Sequence, residues 1–345
     1  MNQAVILGIM SGTSLDGVDL AICQLGRNPD QYEIIRAETI TYSAEWIAKL
    51  KQAEHCSGLE LMQLHREYGK FLGHLAKQFI GETKVDAIAS HGHTIFHDPA
   101  KGLTFQIGCG AELAATSGIT TVADFRTTDV ANGGQGAPLV PAGDGTLFSE
   151  YNYCLNLGGF INISFDEFAK RKAFDIAPMN YVLNRLAQRE GKSFDESGTM
   201  AAAGTCIQSL FDKLNSLSYY SARAPKSLGR EWVEKEIFPL LSDEFNTHDL
   251  LHTFTLHAAE QTAKYLNQKG RVLITGGGAY NSFFIAELKK RTSVEIVIPE
   301  SQFINFKEAL IFAWLGFLRL RNENNSLSSV TGAKRDSCGG AIYCA

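Results

Sequence analysis

The sequence predicts an α/β fold made of two successive halves, and three observations support that prediction. Short apolar runs of β character alternate with segments of helical period. The same order, three strands followed by helices and further strands, is met from residue 4 and again from near residue 151. At 345 residues and 45% hydrophobic content, the chain is long for one core and suited to two. The repetition lies in the order of elements and not in residue identity.

In the first half, G-I-M-S-G-T-S-L-D-G-V-D at 8–19 lies between apolar runs at 4–7 and 18–23 and reads as a hairpin. Residues 32–42 alternate as a third strand. A helix follows over 58–80, where Leu61, Leu64, Tyr68, Phe71, Leu75 and Phe79 recur at three- and four-residue steps and make one apolar face. Strands are expected at 85–90, 104–107 and 119–123, with a helix at 110–117 that Gly118 ends. In the second half, strands at 153–157 and 161–165 flank Gly158 and Gly159, a third strand covers 171–175, and Pro178 opens a helix to 188. A long helix at 250–266, a strand at 272–275, a helix at 281–290 and a strand at 294–298 complete the pass. The segment 307–320 is apolar nearly all round, which predicts a helix sandwiched between layers. The glycines at 133–136, with Pro138 and Pro141, look like the crossing between halves. The domain boundary is accordingly expected at 130/131, with the C-terminal tail packing back on the first domain.

Composition narrows the function. There are 32 Lys and Arg against 37 Asp and Glu, a net charge of −5, and no basic run or aromatic–basic stripe, which argues against nucleic acid. Seven scattered cysteines, never spaced C-x-x-C, indicate neither a disulfide framework nor a structural zinc site, and fit a reducing cytoplasm. The opening apolar run stops at Ser11 without a basic leader, and the stretch 309–320 is too short to span a bilayer, so no membrane partner is expected.

Three glycine clusters bear on chemistry. The hairpin 8–19 offers N–H and hydroxyl groups to an anion, read as an ATP phosphate, but matches neither the Walker nor the dinucleotide spacing. A tight turn in which Asp16 and Gly17 tolerate positive φ reads equally well. Gly158 and Gly159 form a second strand–glycine–strand turn, and Gly276, Gly277 and Gly278 lie between a strand and a helix, where backbone can approach a nucleotide closely. Asp175, at the end of a strand, is either a base that deprotonates a hydroxyl or water, or the N-cap of the next helix. Asp16 and Asp19 could hold Mg²⁺ through water. Otherwise they serve turn geometry and a solvated strand position. His91, His93, His97 and Asp98 form the most metal-like cluster, because His91 and His93 would share one face of an extended chain. No separated third-ligand motif accompanies them, so polar loop residues or substrate contacts compete with metal. Asp124, Arg126 and Asp129 crowd a strand end, as a surface ion-pair patch or a polar substrate wall.

These stretches resemble the anhydro-N-acetylmuramic acid kinase family, a branch of the sugar kinase/Hsp70/actin superfamily, nearly end to end. The likeness includes residues 8–19, S-H-G-H-T at 90–94, A-D-F-R-T-T-D-V-A-N-G-G-Q-G-A-P-L-V-P at 123–141 and N-L-G-G-F-I-N-I at 156–163. It continues with P-K-S-L-G-R-E at 225–231, G-G-G-A-Y-N at 276–281, E-A-L-I-F-A-W-L at 308–315 and S-V-T-G-A at 329–333. The resemblance implies two RNase H-like domains flanking a central ATP cleft, a cytoplasmic homodimer, ATP with Mg²⁺, and a reaction of cell-wall recycling. In that reaction water opens the 1,6-anhydro ring of the amino sugar while O6 takes the γ-phosphoryl group.

Carried onto this chain, Gly12, Thr13, Ser14, Leu15, Asp16, Gly17, Val18 and Asp19 would form the ATP phosphate segment, with Asp16 or Asp19 near Mg²⁺. Gly158 and Gly159 would be the second phosphate loop, Gly276, Gly277 and Gly278 the adenosine side, and Asp175 the general base. His91, His93, Asp124, Arg126, Gln135, Asn180 and Glu308 are the candidate sugar contacts. The chain departs from the family in reading D-I-A-P-M-N at 175–180 where D-T-G-P-G-N is usual, in Asn184 where a further Asp follows, and in His93 where Gln is usual. A kinase for a different anhydro sugar and an ATP-binding sensor without turnover are the alternative readings.

Overall fold

The computed structural model describes residues 2–12 and 15–345, which form two compact units, Met1–Ser149 with Phe306–Ala345, and Glu150–Asn305. In the first unit, β1 (Gln3–Ser11), β2 (Gly17–Gly26) and β3 (Tyr32–Thr41) make an antiparallel meander. β4 (Ala87–Ser90) lies parallel to β1. Next come β5 (His93–Asp98) and β6 (Leu103–Ile107), and then β7 (Thr121–Ala123), which is parallel to β4. β1 is paired on both edges and covered on both faces, so Ile6, Leu7 and Ile9 are fully buried and the run reads as continuously apolar. The strand expected at 104–107 does form, but it pairs with β5 in a separate two-stranded sheet. Gly92, at φ 74°, turns the chain out of the main sheet just before β5.

The helix Gly58–Ile80 starts on a capping box in which Ser57 and Glu60 satisfy each other's backbone N–H, and it buries Leu64, Tyr68, Leu72, Ala76 and Phe79. The helix Ser301–Leu320 is buried nearly all round, with Ala309 to Leu315 and Phe317 at most 3% exposed. It crosses β1 so closely that a Cβ on Gly8 would lie 1.9 Å from the Ala309 carbonyl oxygen. This close crossing explains both the all-round apolar pattern and the glycine inside a central strand.

The second unit repeats the plan. β8 (Tyr153–Leu157), β9 (Phe160–Glu167) and β10 (Lys170–Pro178) form an antiparallel meander, and β11 (Arg271–Thr275) and β12 (Glu295–Val297) add in parallel. The strand order is 10-9-8-11-12, against 3-2-1-4-7 in the first unit, where β13 (Ala341–Tyr343) returns antiparallel beside β7. Three antiparallel strands followed by two parallel ones, twice over, is the α/β plan of the actin, Hsp70 and sugar-kinase type. The core of this unit gathers Leu155, Ile163, Ile176, Phe254 and Ile274 between its sheet and the helix Thr247–Ala263.

The sequence placed the domain boundary at 130/131, whereas the compact units divide at 149/150 and 305/306. The difference is the helix Val140–Leu147 and its flanks. Gly143 packs on Ile311, Asp144 pairs with Lys307 at 2.8 Å with both side chains buried, and Phe148 meets the Tyr32 ring. The glycines at 133–136 thus lie within the first unit.

Candidate active site

The Asp175 carboxylate, the candidate base, has a well-defined set of partners in the second unit. Asp175 lies inside β10, directly opposite Asn162 on β9, and the register slips by one residue just after it, leaving Ile176 as a bulge. The strand therefore runs on to Pro178, past its expected end at 175, and the next helix is Asn180–Ala187, capped by backbone at Met179. Asp175 is not an N-cap, so that reading falls. One carboxylate oxygen accepts from the Asn162 amide and the other from the Leu228 N–H at 2.8 Å. The backbone is fixed as well: the Asp175 N–H donates to the Lys226 carbonyl, and its carbonyl accepts from the Tyr219 hydroxyl at 2.6 Å. Lys226 is itself held over the Tyr219 and Tyr265 rings. Burial raises the Asp175 pKa above the ordinary aspartate range, and the two donors, which favour the charged form, oppose that rise. The result is a half-buried, oriented carboxylate suited to taking a proton.

Removing one donor should move that balance in a known direction. In Asn162→Leu the carboxylate loses a bond that favours its charged form, so its pKa rises further and the acid limb of the kcat profile moves to higher pH. A pH–rate series on the two proteins measures the displacement; an unmoved limb would remove Asp175 from the proton-transfer step.

The glycines separate into those the fold requires and those it does not. Gly276 sits at φ 81°, and a Cβ on Gly278 would press on Leu157 at 2.7 Å and Met179 at 2.9 Å. Gly17 is confined by the Ile40 carbonyl at 2.6 Å, where β2 meets β3. By contrast, a Cβ on Gly158, Gly159 or Gly277 would meet nothing closer than 3.6, 3.8 and 4.0 Å. Neither a positive φ nor packing demands glycine at these three positions. The Gly158 and Gly159 carbonyls accept from the first N–H groups of the helix Asn180–Ala187, and the Asn180 amide donates to the Leu157 carbonyl, which fixes the turn.

In the first unit, the hairpin joins β1 to β2 across Gly12 to Asp16, with Leu15 at φ 60° and its N–H toward the Gly12 carbonyl. Thr13 and Ser14 lie outside the described residues. Val18 is fully buried in the core, and Asp19, half-buried, accepts from Thr39 at 2.6 Å. Burial raises the pKa of Asp19.

Arg126 donates from Nε to His91 Nε2 at 2.9 Å and from Nη1 to the Gly136 carbonyl at 2.7 Å, and it lies in the field of Glu308. Its burial lowers the guanidinium pKa to about 10, still charged at neutral pH, while burial drives His91 well below the ordinary histidine range. Glu308, raised by burial, has Lys307 and Arg126 as countercharges. Asp124, at φ 60°, accepts from Thr127, and the Gln135 N–H donates to the Thr331 carbonyl.

Two expectations change here. Because Gly92 breaks the extended chain, His91 turns to Arg126 and His93 to Ser11, so the pair does not share a face. Among the described residues no cluster of His, Cys, Asp or Glu suits a metal ion. Asp129 has no ion pair among the described residues and does not lie at the surface. It is buried and accepts from Ser326, Thr331 and the Gly136 N–H, each at 2.8 Å, tying the 133–136 loop to the chain's last segment. Sequence reasoning did not find Asn162, Leu228 and Tyr219 around Asp175, or the Ser11, Tyr42 and Tyr68 hydroxyls.

The family model of anhydro-N-acetylmuramic acid kinase matches residues 4–345. The chain belongs to that family. The anhydro-N-acetylmuramic acid kinase of Pseudomonas putida is 35% identical over 99% of this chain and 99% of its own, and that of Legionella pneumophila strain Lens is 32% identical over 99% and 98%. The Xylella fastidiosa kinase is 35% identical over 98% and 95%. Among solved structures, the activator of the 2-hydroxyisocaproyl-CoA dehydratase from Clostridium difficile with bound ADPNP aligns with a TM-score of 0.46 at 13% identity, covering 92% of this chain and 96% of that one. Measured against the usual anhydro-N-acetylmuramic acid kinase motif, the departures at 176–179 fall on side chains turned inward: Ile176, Ala177 and Met179 are fully buried.

Proposed function

We propose that the chain opens 1,6-anhydro-N-acetylmuramic acid with water and phosphorylates it at O6, giving N-acetylmuramic acid 6-phosphate and ADP. The reading is supported by the Asp175 carboxylate, oriented by Asn162 and Leu228, in a chain that belongs to this kinase family over its length. Asp175 takes the proton of a water whose oxygen attacks C1. The C1–O6 bond breaks, and O6 attacks the γ-phosphorus as ADP departs. When bound, ATP supplies the phosphoryl group and Mg²⁺ offsets the charge of its phosphates. Gly158, Gly159 and Gly277 keep bare backbone for the nucleotide, and the hairpin residues Gly12, Leu15, Asp16 and Gly17 supply further phosphate contacts and a carboxylate for the metal's waters. His91, Arg126, Gln135, Asn180 and Glu308 hold the sugar, Arg126 as the cation for its carboxylate.

A cytoplasmic setting and a homodimer belong to the same reading; among the described residues no helix is long and apolar enough to cross a membrane. Incubation with ATP, Mg²⁺ and the anhydro sugar in ¹⁸O-water tests it. The expected product is the 6-phosphate with one label at C1; ATP binding without product across a panel of amino sugars would replace the kinase by a sensor.

A further inference from the structure

We infer that Tyr219 is a positioning residue for Asp175: its hydroxyl holds the Asp175 backbone carbonyl and so leaves the Leu228 N–H to the carboxylate. The inference rests on the kinase reading for the task of Asp175, and on hydrogen-bond accounting for the part of Tyr219. β10 is an edge strand of its sheet, and Asp175 stands there opposite Asn162 on β9. Its backbone N–H and carbonyl are both met from the loop 219–228.

This loop meets the strand edge as a parallel neighbour would begin to. The Asp175 N–H donates to the Lys226 carbonyl at 3.2 Å, and in a parallel ladder the next bond would run from the Leu228 N–H to the Asp175 carbonyl. Here that bond runs elsewhere. The Tyr219 hydroxyl donates to the carbonyl at 2.6 Å, and the Leu228 N–H bonds the carboxylate at 2.8 Å instead. Tyr219 is pinned in turn: Lys226 Nζ donates to its carbonyl at 3.1 Å and stands 4.5 Å over its ring, whose other neighbours include Trp232. One phenol thus decides which oxygen of Asp175 receives the Leu228 N–H.

The choice of oxygen matters because only one of them changes charge. A bond to the backbone carbonyl leaves the acid–base balance alone, whereas a bond to the carboxylate favours its ionised form. Burial raises the Asp175 pKa, and of the two bonds that oppose the rise the Leu228 N–H is the larger. Without the Tyr219 hydroxyl, the Asp175 carbonyl lacks a donor that the Leu228 N–H can supply by completing the ladder, and the carboxylate loses it. The titratable groups packed around the loop are the phenols of Tyr219, Tyr220 and Tyr265, the Lys226 ammonium, and His257 against the Tyr220 ring. Burial raises the Tyr219 and Tyr220 phenols and lowers His257 to about 3, so these three stay outside the range in which the raised carboxyl titrates.

Spectra of the intact protein labelled with ¹⁵N and with ¹³C at the aspartate carboxyls, Asp175 being assigned through Asp175→Asn, test the inference without substrate. In the parent protein the Leu228 N–H signal should follow the Asp175 carboxyl through its titration. In Tyr219→Phe, which keeps the ring and loses one oxygen, the carboxyl should titrate about one pH unit higher, the loss of one hydrogen bond to a charged group, and the Leu228 N–H should cease to follow it. The acid limb of kcat should move by the same amount, with the KM for ATP and for the sugar within about threefold of the parent. A carboxyl titration unmoved by Tyr219→Phe, or a Leu228 N–H that still follows it there, overturns the inference and leaves the kinase standing. In the parent alone, a Leu228 signal indifferent to the Asp175 titration overturns it whatever the variant's stability. A moved carboxyl with an unmoved acid limb overturns Asp175 as the base and leaves the coupling of Tyr219 to Leu228 in place. The same titrations with no product from the parent overturn the kinase and leave that coupling likewise.

Discussion

Asp175→Asn is expected to lower kcat about 10²- to 10⁴-fold, the usual contribution of a positioned general base, with ATP affinity unchanged. Asparagine is nearly isosteric and still accepts from one donor through its carbonyl oxygen, so the loop at Leu228 should keep its place. Its amide cannot take a proton from water, so the loss should appear in kcat and kcat/KM together. The paired measurements are steady-state turnover and nucleotide binding by calorimetry. Full turnover in the variant would exclude Asp175 as the base; a variant that is inactive because it no longer binds ATP would show the carboxylate to be structural.

The second large effect is expected at the turn joining β8 to β9. Gly158→Ala places a methyl group no closer than 3.6 Å to any neighbour, and Gly159→Ala no closer than 3.8 Å. The folded protein should tolerate both, with stability changed by under about 0.5 kcal/mol. The KM for ATP should rise about tenfold or more, because the methyl group occupies the space where phosphate oxygens would reach the backbone. Gly278→Ala is the contrast: its methyl group would press on Leu157 and Met179, so the cost of about 1–3 kcal/mol should fall on stability. Thermal melts alongside ATP titrations separate the two classes. An unchanged KM in the Gly158 and Gly159 variants would deny the turn any part in holding phosphate.

Where periodicity alone fixes an element, the sequence was readable. The helix Gly58–Ile80 announces itself by its apolar face and by Ser57 three residues before Glu60, and the helix Gly110–Ser117 by the glycine that ends it. Pairing was much less readable. The donor set of Asp175 depends on Asn162 standing opposite it, a register fixed by the two-residue turn Phe168-Ala169 between β9 and β10. Both turn residues sit at positive φ, 50° and 58°, where Asn-Gly is the usual signal. A phenylalanine and an alanine give no such signal, so the partner could not be counted out. The Leu228 N–H comes from a loop 53 residues away, and no local pattern announces such a contact. The same holds for the buried Ser11, Tyr42 and Tyr68 hydroxyls, which meet from distant parts of the sequence. The motifs around Gly158 and Gly276 were visible, but which of their glycines the fold itself requires depends on neighbours distant in sequence.

The Asp129 node has a consequence for how the molecule is made. Its hydroxyl partners, Ser326 and Thr331, lie 197 and 202 residues further along the chain, and β7 waits for β13 at 341–343. The second unit, by contrast, is one uninterrupted segment, Glu150–Asn305. On the ribosome, the segment that begins later therefore has all its own residues available first. The earlier-born unit stays open, holding a carboxylate without its hydroxyl partners, until residues 306–345 emerge to close it.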